Sequence, residues 1–211
     1  LQAQNIPLNP GESVTVSFAS FTPTSGNHTM KLFVADPITA TPGPDGTPAN
    51  DTLTRTFSVP VISTNVIQGF EGATFVPASW SLINPQNNVT WLRRTPGKGS
   101  DYSAFIDNYN NNTINQLDLL QTPPVRTNGA DSLTIFFDLA HKDYPGSFDR
   151  LRVLVSKDCG ATFTALYSKS GPTLATAGES DEDYVAPVQT DWRTETVGVS
   201  RAFVTGSSNI I

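Results

Sequence analysis

Residues 149–163, DRLRVLVSKDCGATF, decide the fold class of this chain. Leu151, Val153 and Val155 alternate with Arg152, Leu154 and Ser156, the period-two pattern of a strand with one face against a core. Ser156-Lys157-Asp158-Cys159-Gly160 supplies a turn, and residues 161–167 resume β-rich alternation. The unit therefore reads as a β-hairpin.

The spacing Ser156-x-Asp158-x-Gly160-x-Thr162-Phe163 resembles the Asp-box, a hairpin signature of sialidases and of many other extracellular β-proteins. Each position has a physical reason. Asp158 can accept hydrogen bonds from amides of its own turn, Gly160 can take positive φ, and Phe163 can pack underneath. A sialidase needs several blades, an arginine cluster and a Tyr/Glu pair, so one copy in 211 residues points to a structural box. Cys159 reads as a small turn residue, since no histidine and base surround it in sequence.

Working outward, the composition is 37% hydrophobic but only 15% charged, with 16 Pro and 15 Gly, the balance of a β-protein with polar, uncharged loops. No stretch shows a sustained 3.6-residue apolar stripe, and regular short β-runs without intervening helices predict an all-β chain. A net charge of -6 excludes a phosphate-neutralising basic patch, so no nucleic-acid partner is expected. No run approaches the roughly 20 apolar residues of a membrane span, so no membrane insertion is expected. The single cysteine allows no intramolecular disulfide; cytosolic residence or disulfide-poor bacterial secretion would both explain that count. The chain begins at Leu1 without a signal peptide and reads as part of a larger polypeptide.

Residues 1–59 read as strands separated by loops. Val14, Val16 and Phe18 alternate, as do Met30, Leu32 and Val34, while Leu53, Phe57 and Val59 mark a further strand. Residues 37–51, PITATPGPDGTPAND, are too rich in Pro and Gly for a central strand. Three or four strands in about 59 residues read as roughly half of an immunoglobulin-like sandwich, its C-terminal part. Its open edge could take a strand from a neighbouring chain by strand exchange. Residues 60–66 read as a linker, and Ile67-Gln68-Gly69-Phe70-Glu71-Gly72 opens a different unit, 67–211, whose strands predict a jelly-roll β-sandwich.

Two family resemblances sharpen these expectations. Leu8-x-Pro10-Gly11-Glu12-Ser13, Gly26-x-His28-Thr29 and Asn50-Asp51 resemble the CARDB-like, immunoglobulin-like repeats of large bacterial surface proteins. The order FEG, PxxW, W, SAFIDNY, DLLxTP, SLTIFFDLAH, DRLRVLVSKDCGATF, LYSKSG, LATA, WRTETV over residues 67–211 resembles the choice-of-anchor J domain, a jelly roll related to MAM and cleaved-adhesin modules. The resemblance implies a secreted or cell-surface bacterial protein, exported in many cases by type IX secretion, with further strands after Ile211. It also implies a structural calcium ion. Carried over by position, Glu71 matches a first-strand glutamate and Asp107 with Asn108 an Asp-Asn loop, with Asp101 as an additional candidate. The alternative is that Glu71 pairs with an arginine while Asp107 and Asn108 form an Asx-turn.

Other residues offer binding chemistry. Tyr109, Asn110 and the asparagine-rich run 108–115 can stack on and hydrogen-bond a glycan, as can Trp80, Trp91 and Trp192, although tryptophans of a sandwich more commonly pack in its core. Asn27, Asn50, Asn88 and Asn111 fit the N-glycosylation triplet. Thr52 and Ser132, in Asp51-Thr52-Leu53 and Asp131-Ser132-Leu133, resemble the O-glycosylation acceptors of the bacteria that carry this family. For catalysis the inventory is thin. His28 and His141 belong to no zinc motif, His141-Lys142-Asp143 reads as a turn, no serine stands in a Gly-x-Ser-x-Gly elbow, and Glu179-Ser180-Asp181-Glu182-Asp183 is a solvated acidic loop. The expectation is a non-catalytic adhesion or accessory module whose partner is a glycan or a cell-surface protein. A carbohydrate-binding module of a secreted hydrolase and a structural spacer of a surface filament or secreted metallopeptidase are the alternatives.

Overall fold

The computed structural model describes residue 6 and residues 11–34, 51–111, 113–127, 129–205, 207 and 209–211. The protein is all-β, and its contacts divide it into two compact units, Leu1–Val59 and Pro60–Ile211.

In the first unit β1 (Gly26–Phe33) and β2 (Thr52–Val59) form an antiparallel pair running from Gly26↔Val59 to Phe33↔Thr52. His28 stacks on its cross-strand partner Phe57, ring centroids 5.4 Å apart, and its Nε2 lies 2.7 Å from the Thr24 carbonyl oxygen. Residues 14–18, expected as a strand, are in none among the described residues. Alternation fixes which face of a segment is apolar; it does not supply the neighbour whose ladder makes a strand. Residues 37–50, the expected Pro- and Gly-rich connection, and Asn50 of the glycosylation triplet lie outside the described residues.

The second unit is built from antiparallel pairs set inside one another. Strands β4 (Leu92–Arg94) and β5 (Ser103–Phe105) pair within the span between β3 (Ser81–Ile83) and β6 (Leu119–Gln121), which pair in turn. Further on, β9 (Arg150–Val155) and β10 (Thr164–Ser170) pair inside β8 (Leu133–Leu139) and β11 (Arg193–Val199), and these pair inside β7 (Val125–Arg126) and β12 (Asn209–Ile210). Ser63, in the segment expected as a linker, is tied to this unit: its amide donates to the Pro124 carbonyl and its own carbonyl accepts from Arg126. One helical turn, α1 (Arg201–Val204), joins β11 to β12.

Alternation does its work most clearly along β8 and β11. Leu133, Ile135 and Phe137 face Val199, Val197 and Glu195 across the ladder, while Thr134, Phe136, Gly198 and Thr196 face away. The core gathers Val155, Val199, Val204 and Ile210, with Leu133, Ile135, Leu166 and Phe203 packed against them. Ser156, also buried, exchanges two backbone hydrogen bonds with Ile211, at 2.8 and 3.0 Å. The last residues are thereby held between β7 and the end of β9.

The hairpin between β9 and β10 forms the box read from sequence. The Asp158 carboxylate accepts from the Ser156 hydroxyl, the Thr162 amide and the Thr162 hydroxyl, and Gly160, at φ +85°, donates its amide to Ser156 Oγ. Phe163 lies under Gly160. Those donors, the Thr162 hydroxyl and amide first and then Ser156, pull the Asp158 carboxyl down to about 2. A depressed carboxylate stabilises the fold above its unfolded value of about 3.9, and that contribution disappears as pH falls through the folded value. The gap in thermal midpoint between the native chain and Asp158→Ala is therefore expected to be constant above about pH 5 and to close as pH falls to about 2. A gap independent of pH would contradict the box account.

Candidate functional site

The most prominent surface feature of the second unit is made by two loops far apart in sequence. Tyr109, in the asparagine-rich loop after β5, meets Tyr144, in the loop between β8 and β9, edge to face with ring centroids 5.8 Å apart. Both rings remain exposed, at 49% and 44%. The same loops carry Ile114 and Phe148, exposed at 86% and 84%.

Each loop is held from behind. Asp107 accepts from both the amide and the side chain of Asn110, at 3.1 and 2.9 Å, bonds three residues along the chain that brace the backbone on either side of Tyr109. Asn111 donates to Gln116 Oε1 at 2.7 Å, and Asn88 donates to the same oxygen at 2.9 Å. On the opposite loop, Asp143 exchanges backbone hydrogen bonds with Gly178 and Ser180, and the His141 carbonyl accepts from Thr176 and Ala177. The His141 imidazole sits below its ordinary value because burial outweighs the attraction of Asp149 and Asp143.

The residues singled out from sequence are placed as follows. Asp107 and Asn110 come together, and Tyr109 gains Tyr144 as a partner. Glu71 Oε1 accepts from the Tyr102 amide at 3.1 Å, under an Arg93 guanidinium that lies over the Tyr102 ring and bonds the Gly72 carbonyl. Asp101 is exposed, and the Asn108 carbonyl accepts from the Asn111 amide. Among the described residues, no group of three or more His, Cys, Asp or Glu side chains converges on one cation position. Trp80 and Trp192 are half-buried, and Trp91, also half-buried, donates its indole N–H to the Asp118 carbonyl at 3.1 Å. Thr52 and Ser132 are exposed, at the start of β2 and just before β8. Asn88 and Asn111, of the glycosylation triplets, have their side-chain amides engaged by Gln116.

Sequence reasoning missed Tyr144. It follows His141-Lys142-Asp143, a stretch read as a turn, and only the long-range packing of two loops shows that its ring stands beside Tyr109. It also missed the support behind the loop bearing Gln189. Residues 95–100 dock there: Lys98 bonds Asp138 and Thr194, Gln189 donates to the Gly97 carbonyl, and the Gly99 amide donates to Gln189. A Cβ on buried Gly97 would stand 2.2 Å from both Ser100 Oγ and the Tyr102 carbonyl oxygen. Since backbone cannot yield as a side chain does, Gly97→Ala is expected to cost at least about 2 kcal/mol in denaturant unfolding. A variant as stable as the native chain would contradict that packing.

Comparison of the chain with protein-family models, curated proteins and solved structures finds no match.

Proposed function

We propose that this chain is a non-catalytic adhesion or accessory module of a larger secreted or cell-surface bacterial protein. In this reading the second unit is a jelly-roll sandwich and the first is part of an immunoglobulin-like sandwich. Pairs set inside pairs support the jelly roll, because a long hairpin rolled over on itself keeps exactly one inner pair within each outer pair.

The observation that carries the adhesion reading is the Tyr109–Tyr144 pair. Exposed rings on loops braced by hydrogen bonds present contact area at little ordering cost on binding, which is the physical profile of a recognition surface. A glycan is the ligand class such rings serve best, because apolar sugar faces pack on aromatic rings.

Native gels cast with soluble polysaccharides test the reading. Migration of the full chain is expected to be retarded by at least one polysaccharide class, and the chain carrying Tyr109→Ala and Tyr144→Ala together is expected to run freely. Equal retardation of both proteins would remove the tyrosine pair from the account.

A further inference from the structure

The two tyrosines of the recognition surface do not form a platform. Tyr109 and Tyr144 meet at an interplanar angle of 72°, the edge of one ring directed at the face of the other. Both rings are partly exposed, so what they offer a ligand is two apolar surfaces at nearly a right angle, a corner rather than a plane.

The corner is set before a ligand arrives. Tyr109 lies between Asp107 and Asn110, tied by two hydrogen bonds, and a second turn is closed where the Asn111 amide donates to the Asn108 carbonyl at 3.2 Å. Tyr144 follows Asp143, whose backbone is bonded to Gly178 and Ser180, and its own carbonyl accepts from the Ser147 amide at 2.9 Å. With both backbones braced, bringing the rings into one plane means giving up their edge-to-face contact.

That shape selects among glycans. Crystalline cellulose and chitin present flat arrays of sugar rings, and aromatic side chains lie against such arrays only when they share a plane. Seating either tyrosine flat on an array drives the other into it or holds it clear. A single sugar on a hydrated chain meets no such obstacle: its face packs on one ring and its rim against the other, so C–H groups are buried on both.

We propose that the Tyr109–Tyr144 corner takes one sugar unit of a free polysaccharide chain or oligosaccharide and does not bind the flat face of a packed, crystalline polysaccharide. This inference rests on the adhesion reading and narrows its ligand class. Sugars beyond the first lie outside the corner, so chain length adds equivalent units to choose from and no further stacking.

Isothermal titration of the full chain with two-unit and six-unit oligosaccharides of β-1,4-glucose, β-1,3-glucose, β-1,4-mannose, β-1,4-xylose and β-1,4-N-acetylglucosamine tests this, beside sedimentation with crystalline cellulose and chitin. At least one series is expected to bind, with the six-unit member no more than about threefold tighter than the two-unit member, the ratio of equivalent units. The chain is expected to stay in the supernatant over both solids. A gain with length beyond that, towards the roughly tenfold that another stacked ring can add, would overturn the corner and leave the adhesion reading standing. Sedimentation with either solid that the Tyr109→Ala/Tyr144→Ala variant loses would do the same. Binding that this variant retains would place the site elsewhere and overturn the inference, and absence of binding to every oligosaccharide and both solids would overturn the inference and the adhesion reading together.

Discussion

Glu195→Ala is expected to lower the unfolding free energy by about 2–3 kcal/mol, the loss of its charge-assisted hydrogen bonds, since the Lys169 and Arg193 side chains left behind are 34% and 38% exposed and regain water. Glu195 stands on the inward face of β11 with Val197 and Val199, opposite Phe137, and its side chain is only 9% exposed. A carboxylate there is tolerable because it is bonded twice by Lys169, at 2.8 and 2.9 Å, and by Arg193 at 2.8 Å. Arg193 in turn reaches the carbonyls of Thr173, Leu174 and Ala175, tying the loop after β10 to the sheet. Removing the glutamate leaves two cations facing each other without their common partner, and it releases that loop.

The same network makes a pH prediction. Burial raises the Glu195 carboxyl, but the bonds from Lys169 and Arg193 outweigh it and leave the group below its ordinary value. A carboxylate with a depressed folded value stabilises the protein above the unfolded value of about 4.3 and loses that contribution as pH falls through the folded value. Tyr167 is pushed up to about 12, by its burial first and then by the adjacent Glu195 charge. Urea unfolding of the native chain and Glu195→Gln should therefore differ at neutral pH and converge in acid below the ordinary glutamate range. Equal stability at neutral pH would contradict the role given to the ion pairs.

Tyr144→Ala is expected to abolish, or weaken by at least about tenfold, whatever polysaccharide retention the native chain shows, with thermal stability changed little. The ring is exposed, so its loss removes little buried area, while its edge contact fixes the orientation of Tyr109. Tyr109→Ala should do the same, and the double variant should lose no more than the larger single loss if the rings act as one surface. Additive losses would show two separate contacts.

What could be read from sequence follows the range of the interactions. The hairpin of residues 149–163 was legible because its turn is wired locally: Asp158 bonds residues two before and four after it. Strands β8 and β11 were legible because alternation survives intact in both. The same alternation carried an unused signal, since the phase that places Val197 and Val199 inward also places Glu195 and Arg193 there. The asparagine-rich run misled in one respect. Its composition advertised free amides for a ligand, but Asn110 is turned to Asp107 and Asn111 to Gln116, which also engages the distant Asn88. No local pattern encodes such pairings, nor the approach of Tyr144 to Tyr109, because each depends on how loops from separate strand pairs come to rest.

The measurement that bears most directly on the adhesion reading is binding of the full chain to a broad glycan array, with calcium and with chelator, beside the Tyr109→Ala/Tyr144→Ala double variant. The account predicts retention on a defined class of glycan by the native chain and its loss in the double variant. Absence of binding under both conditions, or binding that the double variant retains, would contradict it.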